Sequence, residues 1–243
     1  MLVREVRCDF SLDHRASPRT PGQHVSEVIR DIALKMGVLK QDDKEELDWT
    51  LARYRLACGD PAGVSTLFPT AISRVALGLA WEQWVGEQWE QINFHSIGEL
   101  EKDGLIGTPD GLEFWLPFPP GEARGHGAIH EIKLTWKSSR SDREKPQERL
   151  AQEFLWLAQT KAYCEMASQP GFPVLQAMLH VYWVNGNYRG SGPEPRSYEL
   201  RFTEEELRKN WYLIRESARV IREQEERERQ EQEREQQQHQ ELE

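Results

Sequence analysis

Asp110, Glu131 and Lys133 are the residues of this chain whose types and spacing could do chemistry. Asp110 stands in the turn-forming run Thr108-Pro109-Asp110-Gly111, and Glu131 and Lys133 are separated by one residue in the β-patterned run His130-Glu131-Ile132-Lys133-Leu134-Thr135. Side chains alternate across a strand, so Glu131, Lys133 and Thr135 share one face and His130, Ile132 and Leu134 the other. If the 113–118 run pairs with the 128–136 run as a hairpin, Asp110 sits at a strand end and can approach Glu131. Two such carboxylates make an oxygen-rich site suited to Mg²⁺. A lysine beside that metal can hold or help deprotonate a metal-bound water, and the set would carry out metal-assisted phosphodiester hydrolysis. The same residues have a plain structural reading. Pro and Gly at the second and fourth positions make an ordinary type I turn, and Glu-Ile-Lys also occurs on solvated strands.

Four short motifs follow one another in a set order. Gly78-Leu79-Ala80-Trp81-Glu82 has the form G-x-x-x-E. Ile106-Gly107-Thr108-Pro109-Asp110-Gly111-Leu112 is followed, 21 positions after the aspartate, by Glu131-Ile132-Lys133, and then by Gln159-Thr160-Lys161-Ala162-Tyr163 with the form Q-x-x-x-Y. In this order the motifs resemble the PD-(D/E)xK nuclease superfamily, and within it the branch of phage lambda exonuclease, the YqaJ-type viral recombination nucleases and the RecB-type nuclease domains. The likeness covers roughly residues 70 to 215. It implies an α/β, restriction-endonuclease-like core, a mixed β-sheet flanked by helices. It also implies Mg²⁺, with Mn²⁺ as a substitute, held by Glu82, Asp110, Glu131 and the carbonyl of Ile132. Lys133 would position the hydrolytic water, and Gln159 and Tyr163 would orient DNA or that water.

The activity so implied is a phage-type exodeoxyribonuclease acting on linear duplex DNA in recombination, with a single-strand annealing or other recombination protein as partner. Two alternatives stay open on the same scaffold: a structure-selective or nicking endonuclease, and a non-catalytic adaptor in phage assembly or packaging. A homo-oligomer is compatible with either nuclease.

The elements that must position these residues can be read from periodicity. Val25, Ile29, Ile32, Ala33 and Met36 fall on one helical face, ended by Gly37; Leu47, Leu51, Tyr54 and Cys58 mark a second helix. Together they predict a helical N-terminal extension over 1–69. A long helix over about 70–91 brings Gly78 and Glu82 to one face, where the glycine lets another backbone approach; Glu82 on a simply wet face is the competing reading. Residues 91–101 read as a strand followed by an Asp103-Gly104 turn, and 117–127 as a loop between paired strands. The 138–147 loop with Lys137, Arg140, Arg143 and Lys145 lies directly after the Glu131 strand, suiting phosphate contacts, or solvation alone.

A helix over about 147–168 puts Gln159 and Tyr163 one turn apart. Strands follow over 174–184 and 197–202. Thr203-Glu204-Glu205-Glu206 is a capping box, opening a helix with the apolar stripe Leu207, Trp211, Ile214, Ala218 and Ile221. The resemblance accordingly implies a nuclease core over 70–222. Beyond it the Glu/Gln/Arg tail, 223–243, lacks apolar positions for a coiled-coil seam and reads as a fraying helix passing into disorder.

The 243 residues carry a net charge of −10, of which −6 lies in residues 223–243, so the body is only mildly acidic. A local basic surface, not the total, governs DNA binding. Cys8, Cys58 and Cys164 are scattered without a C-x-x-C pair, against a disulfide framework, a zinc site or an iron–sulfur cluster. With 38% hydrophobic residues and nine tryptophans a real core is available. No apolar run approaches the ~20 residues of a membrane helix, and Met1-Leu2-Val3-Arg4 lacks a signal-peptide pattern. A cytoplasmic protein is the expectation.

Overall fold

The structure is a computed structural model that describes residues 20–42, 77–78, 80–81, 94–95, 97–115, 126–137, 153–186 and 193–241. It is an α/β protein. In chain order its described elements are β1 (Gln23–His24), α1 (Val25–Lys35), β2 (Phe94–His95), β3 (Leu100–Lys102), β4 (Leu105–Gly107), β5 (Gly111–Trp115), β6 (His126–Thr135), α2 (Phe154–Ala167), β7 (Gln176–Trp183), β8 (Glu194–Arg201) and α3 (Glu204–Glu241). They form two mixed sheets, β1-β4-β3 and β2-β5-β6-β7-β8.

The five-stranded sheet explains the burial of its strands. β5 and β6 are an antiparallel hairpin, and β6 runs parallel to β7 through the crossover helix α2. The central strand β6 is buried on both faces from Gly127 to Ile132, whereas the edge strand β8 alternates half-buried and exposed. On one face Ile129, Leu112 and Ala177 meet α1, α2 and α3, whose apolar sides join a single core with Val25, Ile29, Ala162, Leu207 and Ile214. Helix α1, expected within an N-terminal extension, is thus part of the main core, and Gln23 Nε2 of β1 donates to the Ala218 carbonyl of α3 at 3.3 Å.

Local signals act as physics requires. Asp103 (φ 54°) and Gly104 (φ 72°) form the two-residue turn between β3 and β4. Both residues take left-handed conformations, as the type I′ hairpin demands. Trp211 of α3 donates from Nε1 to the Asp103 carboxylate at 2.8 Å, locking the turn to the helix. The Thr203 capping box is formed: Thr203 N donates to Glu206 Oε2 at 2.8 Å, and Glu206 N to Thr203 Oγ1 at 3.2 Å. Gly37 (φ 69°) follows the end of α1, and Met36, expected on its apolar face, is 58% exposed at the C-cap.

Two expectations are corrected. The 91–101 strand is two strands in different sheets, β2 and β3, separated where Gly98 takes φ 69°, a conformation that breaks extended backbone. The tail does not fray: α3 runs unbroken to Glu241, carried by helix-forming residues and by ion pairs such as Arg229 with Glu226 and Glu233. The Leu47–Cys58 helix lies outside the described residues, as does most of the 70–91 helix. No helix among the described residues is long and apolar enough to cross a membrane.

The sheet face away from α2 carries a polar chain across four strands. His180 Nδ1 lies 2.7 Å from Ser197 Oγ, His180 Nε2 3.2 Å from His130 Nδ1, and His130 Nε2 3.2 Å from Glu113 Oε2. Neutral rings satisfy it all: Ser197 donates to His180, His180 to His130, and His130 to the carboxylate. Burial, then the adjacent His130, push His180 down to about 3 from 6.5. Below pH 6.5 the unfolded chain therefore takes up a proton that the folded chain refuses, and stability falls as pH drops. Between pH 7 and pH 5 this histidine costs up to about 2 kcal/mol. Urea unfolding should show a smaller loss over that interval in His180→Gln than in wild type; equal losses would contradict the buried neutral assignment.

Candidate active site

The register of the β5–β6 hairpin builds the site. Gly111 pairs with His130 and Leu112 with Ile129, so one step outward brings Asp110 level with Glu131. The Asp110 carboxylate accepts the Ile132 backbone N–H at 2.6 Å, continuing the ladder with a side chain. Glu131, 1% exposed, pairs with the Lys133 ammonium on the same strand face. His130 faces away, as strand alternation requires.

Helix α2 covers this group. Tyr163, 3% exposed, accepts a hydrogen bond from Gln159 Nε2 at 2.8 Å, so the two are the neighbours their spacing predicted. The ring is seated by Gly107 of β4: a Cβ there would come within 2.7 Å of Met166 Sδ and 2.8 Å of Tyr163 Cε1. Gly107 is what allows α2 to approach β4, a role that its place in Ile106-Gly107-Thr108-Pro109-Asp110 did not reveal.

Electrostatics tie the residues together. Burial raises the Asp110 pKa, opposed by Lys133 and the Ile132 N–H. Burial works against the charge on Lys133, but Glu131 and then Asp110 outweigh it and hold the ammonium above the ordinary lysine range. Burial, then Glu131, raises the Tyr163 hydroxyl, on which Lys133 and Asp110 also act. Cys164, on the next position of α2, is a buried thiol raised by burial and by Glu131, and sequence reasoning did not connect it with the site.

Asp110, Glu131, Ile132, Lys133, Gln159 and Tyr163 are therefore brought together. Lys137 is not among them: its ammonium lies 2.7 and 2.9 Å from the Glu153 carboxylate oxygens at the start of α2, and 5.7 Å from the Trp156 ring centre. Glu82, Arg140, Arg143 and Lys145 lie outside the described residues. The neighbour of Glu82, Trp81, packs on Tyr182 with ring centres 4.7 Å apart, on the sheet face opposite Glu131.

The residues present fit a hard divalent cation. Two carboxylates and a peptide carbonyl are an all-oxygen donor set, and a cation beside Asp110 would offset the burial that disfavours its charge.

Gly107→Ala should destabilise the fold by about 1–3 kcal/mol, the usual cost of overpacking. Thermal unfolding measures this, and an unchanged midpoint would show that Tyr163 is not seated on Gly107. No protein-family model and no curated protein matches the chain.

Proposed function

We propose that this protein is a Mg²⁺-dependent deoxyribonuclease with a restriction-endonuclease-like core, acting on linear duplex DNA from its ends. One observation carries the hydrolytic part: Asp110, Glu131 and Lys133 converge on one face of the β5–β6 hairpin, beneath Gln159 and Tyr163. The mixed sheet with its β6–α2–β7 crossover agrees with that core. The dependence on ends, the recombination setting and the DNA substrate come from the motif resemblance.

Asp110, Glu131 and the Ile132 carbonyl would hold the cation. When bound, it supplies Lewis-acid polarisation of the phosphate and a water activated at neutral pH. Lys133 contributes a positive charge fixed on the strand beside Glu131, where negative charge gathers as the phosphate is attacked. Gln159 holds the Tyr163 oxygen by donating to it, which leaves the phenolic proton available to a phosphate oxygen or to the water. Helix α2 keeps bulk water from Glu131, and the low polarity around that carboxylate strengthens its interactions.

With Mg²⁺ the protein should degrade linear duplex DNA, and Lys133→Ala should lower the rate by about 10²–10³, as removal of a transition-state stabiliser does. Fold and DNA binding should remain, by circular dichroism and by fluorescence anisotropy in Ca²⁺. Full activity in Lys133→Ala would overturn the site. Closed circles cut as fast as linear duplex would shift the reading to an endonuclease, and inactivity of the wild type on linear, nicked and circular DNA to an adaptor.

A further inference from the structure

Helix α3 has two faces, and among the described residues one of them is buried against the body. Leu207, Trp211, Ile214 and Ala218 are buried against the body. At 100° per residue, the line diametrically opposite runs through Glu205, Lys209, Tyr212, Glu216, Val220, Glu223 and Arg227. This outer line contains large apolar groups in water: Tyr212 is 60% and Val220 40% exposed, with Leu213 beside them at 44%. A shallow depression lined by Glu205, Arg208, Lys209 and Tyr212 lies along it.

The spacing of the line is symmetric about Glu216. Going outward in either direction the steps are four, three and four residues. Two copies of α3 laid antiparallel with Glu216 on the twofold axis therefore match every position of the line. Tyr212 then meets Val220, Lys209 meets Glu223, and Glu205 meets Arg227, each twice. Arg219 falls opposite Leu213, where its stem can cover the apolar side chain. The one like-charged meeting, Glu216 with its own copy, is already neutralised: Arg219 Nε lies 3.1 Å from its carboxylate and Arg215 3.4 Å. Because the body lies on the opposite side of each helix, the two bodies end up outside the pair.

We infer that this outer face of α3 is a self-complementary surface that joins two copies of the chain in an antiparallel helix pair. The seam is isologous, as a twofold interface must be. It spans roughly 35 Å of helix, at 1.5 Å per residue. Its apolar centre is Tyr212, Leu213 and Val220, and the charged positions fix direction and register as flanking charges do in coiled coils. Within one copy Lys209 pairs with Glu205 and Arg219 with Glu223, so association exchanges partners and leaves no charge exposed to an apolar surface. A parallel pair would instead set Lys209 against Lys209 and Glu223 against Glu223.

Sedimentation velocity on the full chain over a concentration series tests this, with circular dichroism as the control for helix content. The wild type should dimerise. Val220→Glu and Lys209→Glu should each weaken the dimer about tenfold or more, since each change acts twice across the axis. Lys209→Glu combined with Glu223→Lys should restore it. A wild type that remains monomeric at every concentration would overturn the inference. So would single variants that dimerise as the wild type does, or a charge exchange that fails to restore association while helix content is unchanged.

Discussion

The hydrogen-bond register between β5 and β6 is the constraint on which the site depends. With Gly111 opposite His130, Asp110 arrives at the level of Glu131 and takes the Ile132 N–H into its carboxylate. A slip of one residue would exchange the faces, sending Glu131 and Lys133 to the side now held by His130 and His180. The register is itself held by burial: Ile129 and Leu112 fill the core under α2, while Glu113 answers His130 on the other face.

A buried carboxylate at the centre of a sheet needs a compensating charge. Glu131 has Lys133, which stands on the same strand face and keeps part of its side chain in contact with water. Such a cluster contributes little to stability compared with apolar residues of the same size, so its presence at the middle of the most buried strand argues for chemistry. The His130–His180 chain is different in kind: its rings are satisfied in their neutral forms, and it ties four strands together on the opposite face.

Much of this was legible because it depends on short-range periodicity. Alternation separated Glu131 from His130, the Asp103-Gly104 pair marked a two-residue hairpin, and Thr203 with Glu206 marked the start of α3. The i, i+4 spacing of Gln159 and Tyr163 became a hydrogen bond. What sequence did not disclose involves distant partners. Gly107 matters because Tyr163 and Met166 arrive from a helix some fifty residues on, and Lys137 sits on Glu153 instead of standing free in a basic loop. The 91–101 run looked like one strand because its break at Gly98 is made by the choice of two sheets. The tail has no apolar stripe to mark it as a helix; helix-forming residues, with charge pairs along the surface, carry it instead.

Crystals grown with Mn²⁺ and measured at the manganese absorption edge give the most direct test that Asp110 and Glu131 form a cation site. An anomalous peak is expected within about 2.0–2.4 Å of oxygens from Asp110, Glu131 and the Ile132 carbonyl, as oxygen ligation of a hard divalent ion requires. A well-ordered site with Lys133 still paired to Glu131 and no peak there, at a Mn²⁺ concentration that occupies other positions, would contradict it.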